Sequence, residues 1–84
     1  MAYAILLSLQ ARKDIETLTP KLREKLRTIL INALAENPYQ GKKLVAELAG
    51  SYSYRLTFKD RIVYGIDEAA KTIYIKRARS HYGD

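Results

Sequence analysis

The chain has 84 residues, the size of one small domain (1–84), and folding at this length buries roughly 60–65 % of the unfolded surface, enough for one thin core and too little for a deep cavity. It has no cysteine and a single histidine, which excludes a disulfide framework and a thiolate metal site; zinc would have to lean on carboxylates, so neither metal nor cofactor is expected. Fifteen Lys and Arg against nine Asp and Glu leave a formal charge of +6, which favours a polyanionic partner (RNA, DNA, a phosphorylated surface or an acidic chain) without choosing among them.

The apolar run AYAILLSL (2–9), bounded by polar residues, predicts a buried strand. It has no basic segment ahead of it and no small-residue cleavage site, and it is too short to span a bilayer; a cytoplasmic protein without a membrane partner is expected. In QARKDIETL (10–18), Ala11, Ile15 and Leu18 share one helical face, with charges between them. Thr19 is a good N-cap, and Pro20 fits the first helical position, where its missing N–H costs nothing. Leu22, Leu26, Ile29, Leu30, Ala33 and Leu34 then form a broad apolar stripe, which Asn37-Pro38 ends.

YQGKKLVAELAG (39–50) reads as a connector with room for one short helical turn. After Gly50 the apolar period becomes two. YSYRLTF (52–58) and RIVYGID (61–67) predict strands joined at Lys59-Asp60, a hairpin-length loop, and TIYIKRAR (72–79) predicts the last strand. The order strand, helix, helix, then three strands predicts a small single-domain α+β fold: a mainly antiparallel sheet with two helices packed on one face. The last strand breaks its own pattern. Ile73 and Ile75 share a face, so strict alternation would turn Arg77 and Arg79 into the core, where unpaired guanidinium groups are prohibitively costly. Either a bulge resets the alternation near Lys76, or the strand outruns the helices.

Parity places Arg55 and Arg61 on the sheet face away from Leu56 and Ile62. Lys42 and Lys43 lie in the connector, Glu47 just before the three-strand run, and Lys76, Arg77 and Arg79 on the last strand. RARSHYGD (77–84) holds the only histidine, His81, beside Tyr82. This inventory suits a metal-free ribonuclease. RNA carries its own nucleophile, the 2′-OH. The protein must take that proton, stabilise charge growing on phosphate and protonate the leaving 5′-oxygen. Histidine or glutamate serves the proton steps and arginine the phosphate, while tyrosine stacks on a base or donates a hydrogen bond. Each residue also has an ordinary role. A terminal His-Tyr is commonly a solvated tail, and strand arginines a solvated face. Tyr54 and Tyr64 fit cross-strand packing, Lys42-Lys43 is a weak basic pair, and Glu47 is a surface carboxylate of small energetic value. On these residues alone the reading stops at a basic α+β domain with nucleic acid as a candidate partner.

LAGSYSYRLTFKDRIVYGID (48–67), followed by a strand ending Arg79-Ser80-His81-Tyr82, resembles the RelE/ParE superfamily of type II toxin–antitoxin toxins, most nearly its Txe/YoeB branch. The likeness is strongest over 48–82, and the upstream strand–helix–helix order agrees with it. It implies a toxin that enters the ribosomal A site and cuts mRNA there, leaving a 2′,3′-cyclic phosphate or 3′-phosphate end. The implied partners are the ribosome, mRNA and an acidic, partly disordered cognate antitoxin. That antitoxin represses the shared operon jointly with the toxin, so operator DNA is met only through it. By the same likeness Arg61 binds phosphate, His81 and Tyr82 are the terminal catalytic pair, and Arg55 and Arg79 flank the site. Relatives carry a catalytic glutamate in the connector, with a lysine near it. An ungapped alignment puts Lys42 at the glutamate position and Val45 at the lysine position, which leaves Glu47 as the available carboxylate. The expected catalytic set is thus Glu47, Arg61, His81 and Tyr82, with Lys42, Lys43, Arg55, Lys76, Arg77 and Arg79 toward RNA and ribosome. Gly83-Asp84 extend past the tyrosine at which relatives often end. Two other readings stay open: a ParE-type inhibitor of DNA gyrase without nuclease activity, and an inactive relative that serves only as antitoxin partner and co-repressor.

Overall fold

Two hydroxyl groups set the helix starts. Ser8 accepts the Ala11 N–H at 2.9 Å and opens α1 (Leu9–Glu16). Thr19 accepts the Leu22 N–H at 3.2 Å, ahead of Pro20, and opens α2 (Pro20–Ile29). Each such cap contributes about 1 kcal/mol. α2 runs on into a π turn, Leu30–Leu34, closed by the Ala35 N–H on the Leu30 carbonyl. The apolar stripe is the face that meets the sheet: Leu26, Leu30 and Leu34 are buried, and Leu22 and Ile29 pack against them. A 3₁₀ turn, Pro38–Gln40, follows Asn37, whose side chain accepts the Tyr39 N–H.

The computed structural model describes residues 2–45 and 49–80, so Glu47, His81 and Tyr82 lie outside the described residues. Its strands are β1 (Ala4–Leu7), β2 (Lys42–Lys43), β3 (Ser51–Arg55), β4 (Arg61–Asp67) and β5 (Thr72–Ser80). They form one sheet in the order β1-β5-β4-β3-β2; β1 runs parallel to β5 and every other pair is antiparallel. Ile62, Tyr64, Ile73, Ile75 and Ala78 point at the helices and close the core with Ala11 and Leu18. Among the described residues, no helix is long and apolar enough to cross a membrane.

Three expectations need correcting. The first strand is not buried: it pairs with β5 alone, and Leu6 and Leu7 remain 51 % and 37 % exposed. Its apolar run reflects a one-sided edge strand. The third strand stops at Arg55 instead of reaching Phe58, because Leu56 and Thr57 both donate their N–H groups back to the Asp60 carbonyl and turn the chain. The hairpin loop is therefore longer than Lys59-Asp60. Lys42-Lys43 forms the edge strand β2 against Tyr52 and Ser53; two residues are too few to show a period.

The paradox of the last strand resolves at a buried carboxylate. Along β4 and β5 the register slips twice, between Tyr64 and Val63 and between Val63 and Arg61, so the alternation is reset just past Ile75 as a bulge at Lys76 requires. Ala78 then takes the inward position and Arg77 reaches Asp14 on α1, with its Nε donating at 2.8 Å and one terminal nitrogen at 3.2 Å. Asp14 also accepts the N–H groups of Ala78 and Arg79, at 3.1 and 3.4 Å. Burial pushes its carboxyl up, but hydrogen bonds from Arg77, Gln10 and the Ala78 N–H outweigh burial and hold it below its ordinary 3.8. A carboxyl lowered by folding contributes stability that is complete above its unfolded value and is lost as the pH falls through the folded one. Asp14→Asn should therefore flatten the acid limb of a melting profile taken against pH. Asp14→Ala should cost about 2–3 kcal/mol at neutral pH, or about 10–20 °C in Tm; the partial exposure of Arg77 keeps this below the loss for a fully buried pair. An unchanged Tm for Asp14→Ala would remove the clamp from the account.

Candidate functional site

Beyond the short β2 the sheet edge opens into a cleft of about 430 Å³. Its floor and walls come from β3, the loop after it, the start of β4, the connector and one residue of α2. Four cations line it: Lys25 of α2, Lys42 of β2, Arg55 of β3 and Arg61 of β4. Among the described residues no carboxylate lines it. Arg55 and Arg61 are register partners across β3 and β4, so two guanidinium groups issue side by side from the same sheet face. Arg61 is only 8 % exposed, and its Nε donates to the Ser53 hydroxyl at 3.2 Å, which fixes the orientation of the group. A fixed, dehydrated guanidinium beside more exposed cations is suited to one phosphate held firmly within a broader basic track.

The connector is pinned to this cleft by a column of three tyrosines, of which the sequence assigned only Tyr64 to packing. Tyr64 is fully buried, and its hydroxyl donates to the Pro38 carbonyl at 2.7 Å. Burial pushes this phenol up to about 12, so it remains a neutral donor over the working pH range. Tyr52 stacks on Tyr64 at 5.7 Å between ring centroids, and Tyr39 meets Tyr52 edge-on at 6.0 Å. Tyr39 and Tyr3 then donate to Glu68 at 2.6 and 2.7 Å, and Lys71 pairs with the same carboxylate. These donors, Lys71 foremost, hold the Glu68 carboxyl down to about 2, while the bond to Glu68 raises Tyr39 to about 12. Gly41 passes directly over this column. A Cβ there would lie 2.1 Å from the Tyr64 hydroxyl oxygen and 2.8 Å from the Ser53 carbonyl.

Of the residues singled out in the sequence, Arg55, Arg61 and Lys42 meet in the cleft. Lys43 is paired with Tyr52 and is not part of the lining. Lys76 donates to the Ser51 hydroxyl at 2.7 Å. Arg77 is held by Asp14. Arg79 donates to the Thr17 carbonyl at 3.0 Å and faces Asp60 at 3.4 Å. Lys76, Arg77 and Arg79 thus have protein partners and do not line the cleft. Lys25 and Gln40 do line it and were missed. Lys25 lies off the apolar stripe of α2 among several like cations, so nothing in the local pattern separates it from a solvated lysine.

No family model matches the sequence, and no curated protein matches it. Solved structures do. The RelBE2 toxin–antitoxin complex from Mycobacterium tuberculosis contains a chain 30 % identical to this one, matched over 100 % of this chain and 95 % of that one with a TM-score of 0.86. This protein belongs to the RelE/ParE superfamily of toxin–antitoxin toxins. The YoeB–YefM complex of Staphylococcus aureus matches at 27 % identity over 98 % of this chain and 100 % of that one, with a TM-score of 0.78. The YoeB/ParE toxin of Agrobacterium tumefaciens shares the fold, with a TM-score of 0.84 at 22 % identity over 94 % of this chain and 99 % of that one. The α+β architecture expected for a RelE/ParE toxin is the one observed.

Gly41→Ala should force the connector off Tyr64 and Ser53, since one clash is with backbone. The expected loss is about 1–3 kcal/mol, together with displacement of Lys42 from the cleft. Differential scanning calorimetry and the amide shifts of residues 40–43 would report both, and a variant as stable as the parent would show the approach to be unimportant.

Proposed function

We propose that this toxin is a ribosome-dependent mRNA endoribonuclease of the Txe/YoeB kind. The observation that carries the reading is the held, nearly buried Arg61 in a cleft lined by cations. A second observation supports it. Ser80 at the end of β5 is the register partner of Arg61, and His81 and Tyr82 are the next two residues of the chain. In this scheme a base takes the 2′-OH proton and the 2′-oxygen attacks phosphorus. The bond from phosphorus to the 5′-oxygen then breaks, and an acid protonates that oxygen. Arg61 opposes the charge that builds on the phosphoryl oxygens, a contribution largest at the transition state. His81 and Glu47 are the candidates for the proton steps, and Tyr82 orients the nucleotide. Lys25, Lys42 and Arg55 hold the flanking backbone.

The partner is an acidic antitoxin. Besides the cationic cleft, an apolar groove of about 350 Å³ runs between β1, α1 and α2, with Ile5, Leu7, Leu26 and Ile31 in its walls and Arg23 and Arg27 beside them. An amphipathic acidic segment suits both surfaces, and ordering of such a segment on binding is the usual mode for a partly disordered chain.

Mapping mRNA 5′ ends after incubation with translating ribosomes tests the activity. His81→Ala should lower cleavage about 10²–10⁴-fold at unchanged Tm, and Arg61→Ala should lower it at least as much. Glu47→Gln divides the proton roles: a large loss makes Glu47 the base, and a small one leaves that role to His81. Gyrase inhibition without new mRNA ends would replace this reading with the ParE one, and absence of both activities would leave an inactive antitoxin partner. Affinity for ribosomes should fall by orders of magnitude between low and moderate salt, because cation–phosphate contacts release counterions. A salt-independent affinity would sink the polyanion assignment.

A further inference from the structure

We propose that Phe58 is a base-stacking platform at the cleft, on which a single-stranded nucleotide lays its base while the neighbouring cations hold its phosphates. The subsite rests on the nucleic-acid reading of the cleft and adds the element that contacts the base. Phe58 is the only phenylalanine of the chain, and it is 76 % exposed. Burying such a ring contributes about 1.5–3 kcal/mol, which this fold forgoes. The sequence alternation would have carried the ring to the core side had β3 continued.

The turn that prevents this is tightly built. Leu56 is fully buried on one side of Phe58 and Asp60 nearly so on the other. The Leu56 and Thr57 N–H groups donate to the Asp60 carbonyl at 2.9 and 3.0 Å. The Thr57 hydroxyl accepts the N–H groups of Lys59 and Asp60 at 3.1 and 3.0 Å. Asp60 is in turn held near Arg79. The loop therefore presents its aromatic side chain outward from a rigid frame, and ordering it costs a ligand little.

The surroundings identify the ligand class. Phe58 lines the cleft with Arg55, Arg61, Lys25 and Lys42, and the Lys59 ammonium stands 5.8 Å from the ring centroid. Two other exposed apolar side chains, Leu7 and Ile31, differ in setting: they line an aliphatic groove, which suits a protein segment. Of the two aromatic rings that line the cleft, Tyr54 packs against the core and Phe58 stands exposed among the cations, which matches the alternating needs of a nucleotide, a charged backbone and a flat base.

The test uses fluorescein-labelled single-stranded RNA pentamers, intact and with one abasic nucleotide at each position in turn, titrated into the wild-type protein and its Phe58 variants. Phe58→Ala should weaken binding of intact RNA about 5- to 100-fold, Phe58→Leu nearly as much, and Phe58→Tyr about twofold at most. One abasic position should weaken the wild type and leave Phe58→Ala unaffected. The slope of affinity against salt should persist in Phe58→Ala and become shallower in Lys42→Ala. Wild-type affinity in Phe58→Leu, no position at which the base matters, or no binding of RNA by the wild type would each overturn the proposal. Loss of antitoxin binding with RNA binding intact would do the same and assign the ring to a protein partner. Ribosomal cleavage separates this from the enzymatic reading. Wild-type cleavage with RNA binding indifferent to Phe58 removes only the stacking site. Base-dependent RNA binding without cleavage removes only the nuclease.

Discussion

Asp14 is a buried carboxylate on a short helix, and it accepts hydrogen bonds from three consecutive residues of the last strand. This arrangement answers a conflict written into β5. The strand must satisfy the core with Ile73 and Ile75 and then carry Arg77 and Arg79 along the same sheet. An uninterrupted ladder would bury guanidinium groups without partners. Two register slips, with a carboxylate waiting on α1, convert that cost into a hydrogen-bonded junction between helix and sheet. The slips also set Ser80 opposite Arg61, and so place the end of β5 relative to the cleft.

The distribution of charge follows from the same junction. Asp14 and Asp60 face the arginines of β5, and Glu68 faces Lys71 at the β4–β5 turn. The cleft lining, by contrast, has cations and, among the described residues, no acid. Four cations are thus gathered in the cleft without a neutralising acid among the described residues that line it, while the arginines of β5 are matched by acids. A basic composition says how many cations a chain has, whereas the placement of a few acids decides where the field is felt.

Much of this was legible in the sequence. Thr19-Pro20 and the stripe from Leu22 to Leu34 gave the second helix, and the alternation in 61–67 gave β4. The misfit at Arg77 announced either a bulge or an overrunning strand because its physical cost is local, and the register slips show the bulge. What stayed hidden was relational. Asp14 reads as one more charge between apolar positions of α1, and its partner lies 63 residues away. Gly41 reads as connector until Tyr64 is seen beneath it. Of the expected site, Arg55, Arg61 and Lys42 came together because strand parity and pairing place them. Lys25 and Phe58 could not be assigned from pattern, since one depends on helix packing and the other on where a strand chooses to end.

The sheet order has a consequence for how the chain reaches this state. β1 pairs with β5 alone, and the hydrogen bonds of Tyr3, Ser8 and Asp14 to the β4–β5 region span 63 to 68 residues. Loops that long must close before any of these contacts repays the entropy lost. Such a topology favours all-or-none assembly, since the locally connected β3–β4–β5 meander gains β1 and its helical cover only when those long loops close. Lesions as far apart as α1 and β5 should then register in one cooperative transition, because neither end holds a separable folding unit.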